Sequence, residues 1–536
     1  MAEIFDYVIV GAGSAGCVLA NRLSANPNVT VCLIEAGGEA NSVLNRVPVG
    51  AAVFVPGRPK ISNWAFNTVP QPGLNGRKGY QPRGKTLGGS SAINAMLYVR
   101  GQREDYDGWA TGGATGWAYD DVLPYFKKAE RNQNGADGLH GDNGPLQVRD
   151  PGAPRPVSLA FIEAARQTQI PLNTDINGAT QEGTGLFQLS QFFDGAQNGE
   201  RCHTATAYLE PVRQRPNLQV ITRATALRII IDNKRATGVV ISQKGVEKTI
   251  SAKREVILAA GAFGSPQLLM LSGVGPAWHL QSKGIAVLHD LPGVGENLQD
   301  HIDFTRLFKS PSKDMFGVSL YAPWQIFKAA LEWRKHGTGL LTSSFAEAHA
   351  FYRSTLDVPT PDIQVHFVAG LVDDHLRSVQ FGHGWSAHAC VLRPFSKGTV
   401  RLASPDPRAA PEIDPKFFSD PRDMQTLLKG LRKLDAILKA PALAPYRGKE
   451  VYLRGDENDT ELENHIRARA DTIYHPVGTC KMGTDVMSVV NPQLRVHGIE
   501  GLRVIDASVM PNITSGNTNA PTIMIAEKGA ELVLAG

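Results

Sequence analysis

At 536 residues, 42% of them hydrophobic and 20% charged, the chain exceeds what one hydrophobic core organises, so two or more domains are expected. Its formal net charge of +4 is carried by scattered Lys and Arg, with no basic run longer than Lys127–Lys128, which argues against a nucleic-acid partner. Five cysteines (Cys17, Cys32, Cys202, Cys390, Cys480), odd in number and without a CxxC pair, argue against a disulfide framework or zinc site and point to a reducing compartment.

The N-terminal stretch MAEIFDYVIVGAG has no basic segment ahead of its apolar residues, so no signal peptide is expected. No run approaches the ~18 consecutive apolar residues of a membrane span. A cytoplasmic protein is expected, with peripheral association at the inner membrane face left open. Residues 7–13 read as an apolar strand, 14–25 as a helix and 29–37 as a second buried strand, together a βαβ unit. From Pro48 to Gly89 the Gly/Pro-rich chain predicts long loops over a ligand site. Residues 218–260 alternate as β structure. From Asp303 to about Arg454, amphipathic helices at 323–336 and 421–440 lie between strand-like pieces such as DIQVHFVAG, the bulk of a second domain. The tail returns to the first style, with strand LRVIDAS and a helix from Thr518 to Leu534.

GAGSAG at 11–16 matches GxGxxG between strand and helix. Gly11 permits the tight turn, Gly13 lets the backbone approach a pyrophosphate, and Gly16 lets helix and strand pack closely. The helix opening at Ser14 and Ala15 then points its N-terminus at the phosphates. Glu35, followed by Ala36, ends the second strand, where a carboxylate accepts from both hydroxyls of an adenosine ribose. That carboxylate disfavours a 2′-phosphate, so NADP is not expected, while NAD and FAD stay open at this point.

Longer motifs separate them. PRGKTLGGSSAINAMLYVRG (82–101), GAFGSPQLLMLSGVGP (261–276), PGVGENLQDH (292–301), YHPVGTCKMG (474–483) and GLRVIDASVMPNITSGNTNAPTIMIAEK (501–528) occur in the order of the glucose–methanol–choline (GMC) oxidoreductases, which the chain resembles essentially end to end. Within that family NWAFNTVPQPGLNGR (63–77) and ADTIYHPVGTC (470–480) resemble bacterial FAD-dependent alcohol dehydrogenases of the alkane-degradation type and choline dehydrogenase-like proteins.

The resemblance implies an α/β (α+β) fold in two parts. A Rossmann-like FAD-binding domain, discontinuous in sequence, would take 1–155, 200–305 and 465–536. A substrate-binding domain of antiparallel sheet flanked by helices would take 156–199 and 306–464. Gly88, Gly89, Ser90 and Ser91 make a loop able to lie against a planar ring, with Arg83 and Leu87 in the same motif. By resemblance Asn94, Ala95, Met96 and Leu97 run beside the flavin, Ala226 meets the adenine, and Asp506 and Ala507 lie near the pyrophosphate and ribityl chain. Asn517 and Thr518 precede the last helix, where Pro521 suits the first helical position. That helix N-terminus would stabilise negative charge on a reduced flavin. Some family members attach FAD through a histidine just before the asparagine of the glycine-rich loop. Here that position is Ile93, so FAD is expected to be non-covalent.

Alcohol oxidation requires removal of the hydroxyl proton and departure of hydride to flavin N5. By resemblance His475, one of 14 histidines, is the base and alkoxide stabiliser, and Asn519 orients the hydroxyl. His301 (QDH), Cys390 and Cys480 read as structural, and no metal site is expected. The expected activity is oxidation of a primary aliphatic or aromatic alcohol, with electrons passed to a quinone or another acceptor. The alternatives are an O₂-using alcohol oxidase and, from another class, a flavin-containing hydroxynitrile lyase. Residues 343–351 and 362–370 are expected to line or support the pocket. Choline would need a carboxylate and an aromatic cage, for which Glu347 is a candidate.

Overall fold

A computed structural model describes residues 3–536; Met1 and Ala2, where the stretch read as lacking a signal peptide begins, lie outside the described residues. β1 (Glu3–Val10), α1 (Ser14–Leu23) and β2 (Val31–Ile34) form the expected βαβ unit. β2 is buried throughout and β1 over its last four residues, the continuous apolar pattern of strands covered on both faces. β1 pairs in parallel with β2 and with Val246–Leu258, β2 with Leu218–Ile221, and Val246–Leu258 with Leu502–Val504.

Val246–Leu258 spans 13 residues and, besides its pairing with β1, serves two further ladders. Its first half pairs antiparallel with Arg235–Gln243, which in turn pairs with Ala224–Asp232. Its last three residues hold Leu502–Val504. One long strand thus ties the middle of the chain and its tail to the N-terminal unit.

The second sheet is antiparallel, in the order Asp471–Thr472, Ile302–Lys309, Gly382–Val391, Ile363–Val368, Ala346–Tyr352, Gly183–Leu186. The period of two sorts its residues. Ile302, Phe304, Val365, Phe367, Ala387 and Ala389 enter an apolar core under the helices Pro156–Gln167 and Pro421–Lys439. Phe161 of the first helix stacks on Phe367 at 4.5 Å. The alternate residues Asp303, Thr305, His366, Val368 and His388 face a cavity.

The domain limits expected at 305/306 and 464/465 fall inside the strand Ile302–Lys309 and the helix Asp459–Arg469. The antiparallel sheet keeps both that whole strand and Asp471–Thr472. Between Pro48 and Gly89 the chain forms only short helical turns and the two-residue strands Phe66–Asn67 and Tyr80–Gln81. The last helix runs Asn519–Leu534. Pro521 is therefore its third residue rather than its first, where its missing N–H still falls among the four donors a helix start leaves free.

Candidate active site

A cavity of about 1330 Å³ opens where the C-terminal ends of the parallel strands meet the polar face of the antiparallel sheet. It exceeds the roughly 300–1,000 Å³ of an ordinary small-ligand pocket. Of the residues expected to hold the flavin or act on the alcohol, Gly16, Leu87, Gly88 and Ser91 do not line it and the others do. These support the lining from behind: Leu87 is fully buried, Gly16 packs on the Gly11 carbonyl, the Gly88 N–H donates to the Ala12 carbonyl at 2.7 Å, and the Ser91 hydroxyl donates to the Gly88 carbonyl at 2.6 Å.

Gly11 has φ +102°, and a Cβ there would lie 2.5 Å from the Ala259 carbonyl, so only glycine fits. Gly13 and Gly89 meet back to back, a Cβ on Gly89 falling 2.7 Å from the Gly13 Cα. The helices starting at Ser14 and Asn519 both open onto the cavity, and neither has a side-chain cap. Uncapped N–H groups with the positive end of the helix dipole suit an anionic or acceptor-rich ligand.

Glu35 is buried at the end of β2, its carboxylate accepting from the Ala12 N–H (2.9 Å) and the Gly37 N–H (2.7 Å). Burial pushes its pKa up to about 7. Two of its roughly four acceptor sites remain for a ligand. Arg83 lines the cavity with its Nε and Nη2 free of protein partners, and burial lowers its pKa to about 10. A register shift between Ala226 and Arg228 interrupts the ladder where Ala226 lines the wall. Asn94 to Met96 form a turn pinned by Arg201, which donates to the Asn94 carbonyl at 2.5 Å and side-chain oxygen at 3.0 Å. Asp506 turns its carboxylate to the Gly261 and Ser508 N–H groups and the Ser265 hydroxyl, capping the adjoining turns. This uncapped, glycine-lined, donor-rich cleft fits a dinucleotide. Ile93, also on the wall, offers no atom for a covalent link.

At the other end His475 and His301 meet Nδ1 to Nδ1 at 2.9 Å, and His301 Nε2 lies 2.9 Å from the Leu392 carbonyl. A carbonyl only accepts, so His301 carries its proton on Nε2 and offers a lone pair at Nδ1. His475 must then donate from Nδ1, which leaves its Nε2 as the basic nitrogen. Burial, then the neighbouring His301, His366 and Arg83, drive the His475 pKa well below its ordinary value, so the imidazole is neutral. Its backbone N–H donates to Asp300, whose pKa burial raises to about 6. Tyr474, at φ +77°, sits in the left-handed region that sets this turn.

The amide beside His475 is that of Asn517, whereas Asn519 was the residue expected there. Asn517 Nδ2 donates to His475 Nε2 at 3.0 Å, and its Oδ1 accepts from Gln364 Nε2 at 3.1 Å. Asn519, first residue of the terminal helix, instead accepts from the Ser14 hydroxyl at 2.7 Å and links the two helix starts. His301 is likewise more than a packed side chain. Its place in PGVGENLQDH, one of the quoted motifs, was the available signal.

Ser344, Phe345, Ala346, His366 and Val368 line the cavity, as expected for their segments. Glu347 does not. Its carboxylate accepts from the Arg155 N–H and the Ser158 and Ser343 hydroxyls, each at 2.7 Å, and so holds the start of the helix Pro156–Gln167. Among the described residues no group of three or more His, Cys, Asp or Glu is arranged to hold a metal, and all five cysteines are buried and unpaired. No helix among them is long and apolar enough to cross a membrane.

Comparison with known proteins agrees with this architecture. Models of the GMC oxidoreductase family match residues 5–303 and 394–526. The chain is 44% identical to an alcohol dehydrogenase [acceptor] of Pseudomonas putida, over 99% of this chain and 96% of that protein. It is 45% identical to an oxygen-dependent choline dehydrogenase of Burkholderia pseudomallei (strain 1710b), over 99% and 93%. Pyridoxine 4-oxidase from Mesorbium loti superposes with a TM-score of 0.88 at 30% identity, covering 99% of both chains. On the strength of matches that span both sheets and both ends of the cavity, the chain belongs to the GMC oxidoreductase family.

Proposed function

We propose that the protein oxidises a primary alcohol to the aldehyde, using FAD held non-covalently in the cavity. The observation that carries this reading is the forced tautomer of His475: a neutral imidazole, fixed through His301, with its Nε2 lone pair on the cavity side. The alcohol O–H replaces the Asn517 N–H at that nitrogen, which takes the proton as the carbinol C–H bond breaks. The Asn517 amide, rather than Asn519, holds the hydroxyl oxygen in line. Glu35, the Ser14–Ala15 helix start, the Gly13–Gly89 pair, Arg83 and the Asn94–Leu97 turn would hold FAD, which supplies the acceptor for the hydride.

Phe345, Val368 and Val372 give the substrate end an apolar wall, and Glu347 is committed elsewhere, which supports an uncharged aliphatic or aromatic alcohol over choline. Electrons pass to a quinone or another acceptor, a reading supported by the similarity to the acceptor-linked alcohol dehydrogenase of Pseudomonas putida. The relatives named as oxygen-dependent and as an oxidase support O₂ as the competing acceptor. An alcohol panel assayed in parallel for reduction of an artificial acceptor and for peroxide release decides between them. Failure of every alcohol to bleach the flavin band anaerobically overturns the oxidation itself and leaves a lyase. Acid precipitation should release the flavin into the supernatant, and flavin that stays with the pellet refutes non-covalent binding.

A further inference from the structure

The helix Ala322–His336 is exposed over most of its surface, with Ala329 as its one buried residue. Trp324, Phe327 and Leu331 recur at three- and four-residue spacing and share the face turned away from Ala329, and Leu320 precedes them in the turn before the helix. Leu320 is fully exposed, and Trp324, Phe327 and Leu331 are 51%, 53% and 55% exposed. Trp324 and Phe327 stack at 5.8 Å, forming a rigid aromatic ledge. Val318, bridged to the exposed Phe381, extends the patch, and Phe316 behind it packs on Phe345 of the cavity wall at 4.4 Å.

The stripe has a basic border. Lys328 lies 5.0 Å from the Trp324 ring, Lys313 lies 5.8 Å from the Tyr321 ring, and Arg334 and Lys335 are exposed in the last turn. The helix's one acid, Glu332, accepts from the Thr338 hydroxyl. An exposed apolar stripe edged by cations, with Trp and Tyr at the boundary, is the pattern of a helix lying in a membrane interface. A second copy of this chain fits less well, because a two-fold contact would bring the same cations together.

We propose that this face docks onto an anionic phospholipid bilayer, with Trp324, Phe327 and Leu331 entering the acyl boundary and Lys328, Arg334 and Lys335 meeting the headgroups. Docking there sets the cavity wall at Phe345 close to the lipid surface.

Sedimentation of the holoprotein with vesicles of phosphatidylglycerol and phosphatidylethanolamine tests the proposal, against vesicles of phosphatidylcholine alone. The wild type should pellet with the anionic vesicles, and brominated acyl chains should quench a fluorescence component that Trp324→Phe removes. Trp324→Asp combined with Phe327→Asp and Leu331→Asp should abolish pelleting while leaving flavin content and turnover with a soluble acceptor unchanged. Lys328→Glu with Lys335→Glu keeps the apolar stripe and should weaken binding to anionic vesicles at least about tenfold. A wild type that stays in the supernatant at low salt overturns the proposal. So does a wild-type dimer that the triple variant dissociates, which would make the face a contact between copies.

Discussion

His301 and His475 share one proton donor between two facing Nδ1 atoms 2.9 Å apart, and the Leu392 carbonyl on the far side of His301 decides which ring donates. The basic nitrogen of the site is thus fixed by a backbone carbonyl two groups away. His475→Ala should lower kcat about a hundred- to ten-thousand-fold, the usual worth of a positioned base, with flavin still bound. His301→Leu removes the acceptor for His475 Nδ1 and should lower kcat about tenfold or more by freeing the tautomer. His301→Gln, whose amide oxygen can accept, should recover part of the loss. Equal rates for the Leu and Gln variants would mean that His301 only fills space.

Asn517 and Asn519 lie two residues apart and serve different ends of the cavity. Asn517→Ala should lower kcat about tenfold or more while flavin content stays normal, because its amide reaches His475 Nε2. Asn519→Ala should leave the turnover of flavin-loaded enzyme within about threefold and weaken flavin retention, because its partner is Ser14. Steady-state rates normalised to bound flavin check both, and the reverse outcome would restore Asn519 beside the substrate.

The sequence could not separate these two asparagines. Which one faces the histidine depends on where the terminal helix starts, and in GNTNAP both Asn517 and Asn519 are competent caps. The N-terminal unit was legible because an unbroken apolar run, a glycine turn and a terminal acid agree at β1, α1 and Glu35. Glu347 was not legible. A register shift between Ala346 and Ala348 breaks the alternation, so period-two reasoning cannot place the carboxylate that meets Ser158. His301 acts through a carbonyl 91 residues away, a relationship only the folded chain displays.

Glu527, with its side chain fully buried, holds the terminal helix to α1. Arg22 donates to it from Nε and Nη2 at 2.8 and 2.6 Å, and the Tyr208 hydroxyl adds a third bond at 2.9 Å. Glu527→Ala leaves Arg22 and Tyr208 without their acceptor, and breaking a buried pair in this way costs about 3–5 kcal/mol. Because Arg22 is partly exposed and can rehydrate, the lower end is expected. Both helix starts line the flavin end of the cavity, so thermal denaturation should show a lower Tm together with weaker flavin retention. A lowered Tm with normal retention would separate the helix anchor from the site.

Glu35 gives cofactor binding a pH dependence of definite sign. Burial raises its pKa from 4.5 to about 7, so the cofactor-free protein holds a proton there that the unfolded chain has already lost. Its contribution to stability is therefore present below pH 4.5 and disappears as pH rises through 7. With each oxygen already accepting one backbone N–H, the ionised carboxylate accepts from both ribose hydroxyls better than the protonated one does, so binding lowers this pKa and releases a proton. Affinity for FAD should consequently fall as pH drops below 7, by up to about tenfold per pH unit, and level off above it. Titration of the apoprotein with FAD from pH 5.5 to 8.5 measures that slope. Glu35→Gln should bind more weakly at pH 8 and show no slope, since its amide carries no titrating proton. A wild-type slope of the opposite sign would mean that the carboxyl meets the cofactor in its protonated form.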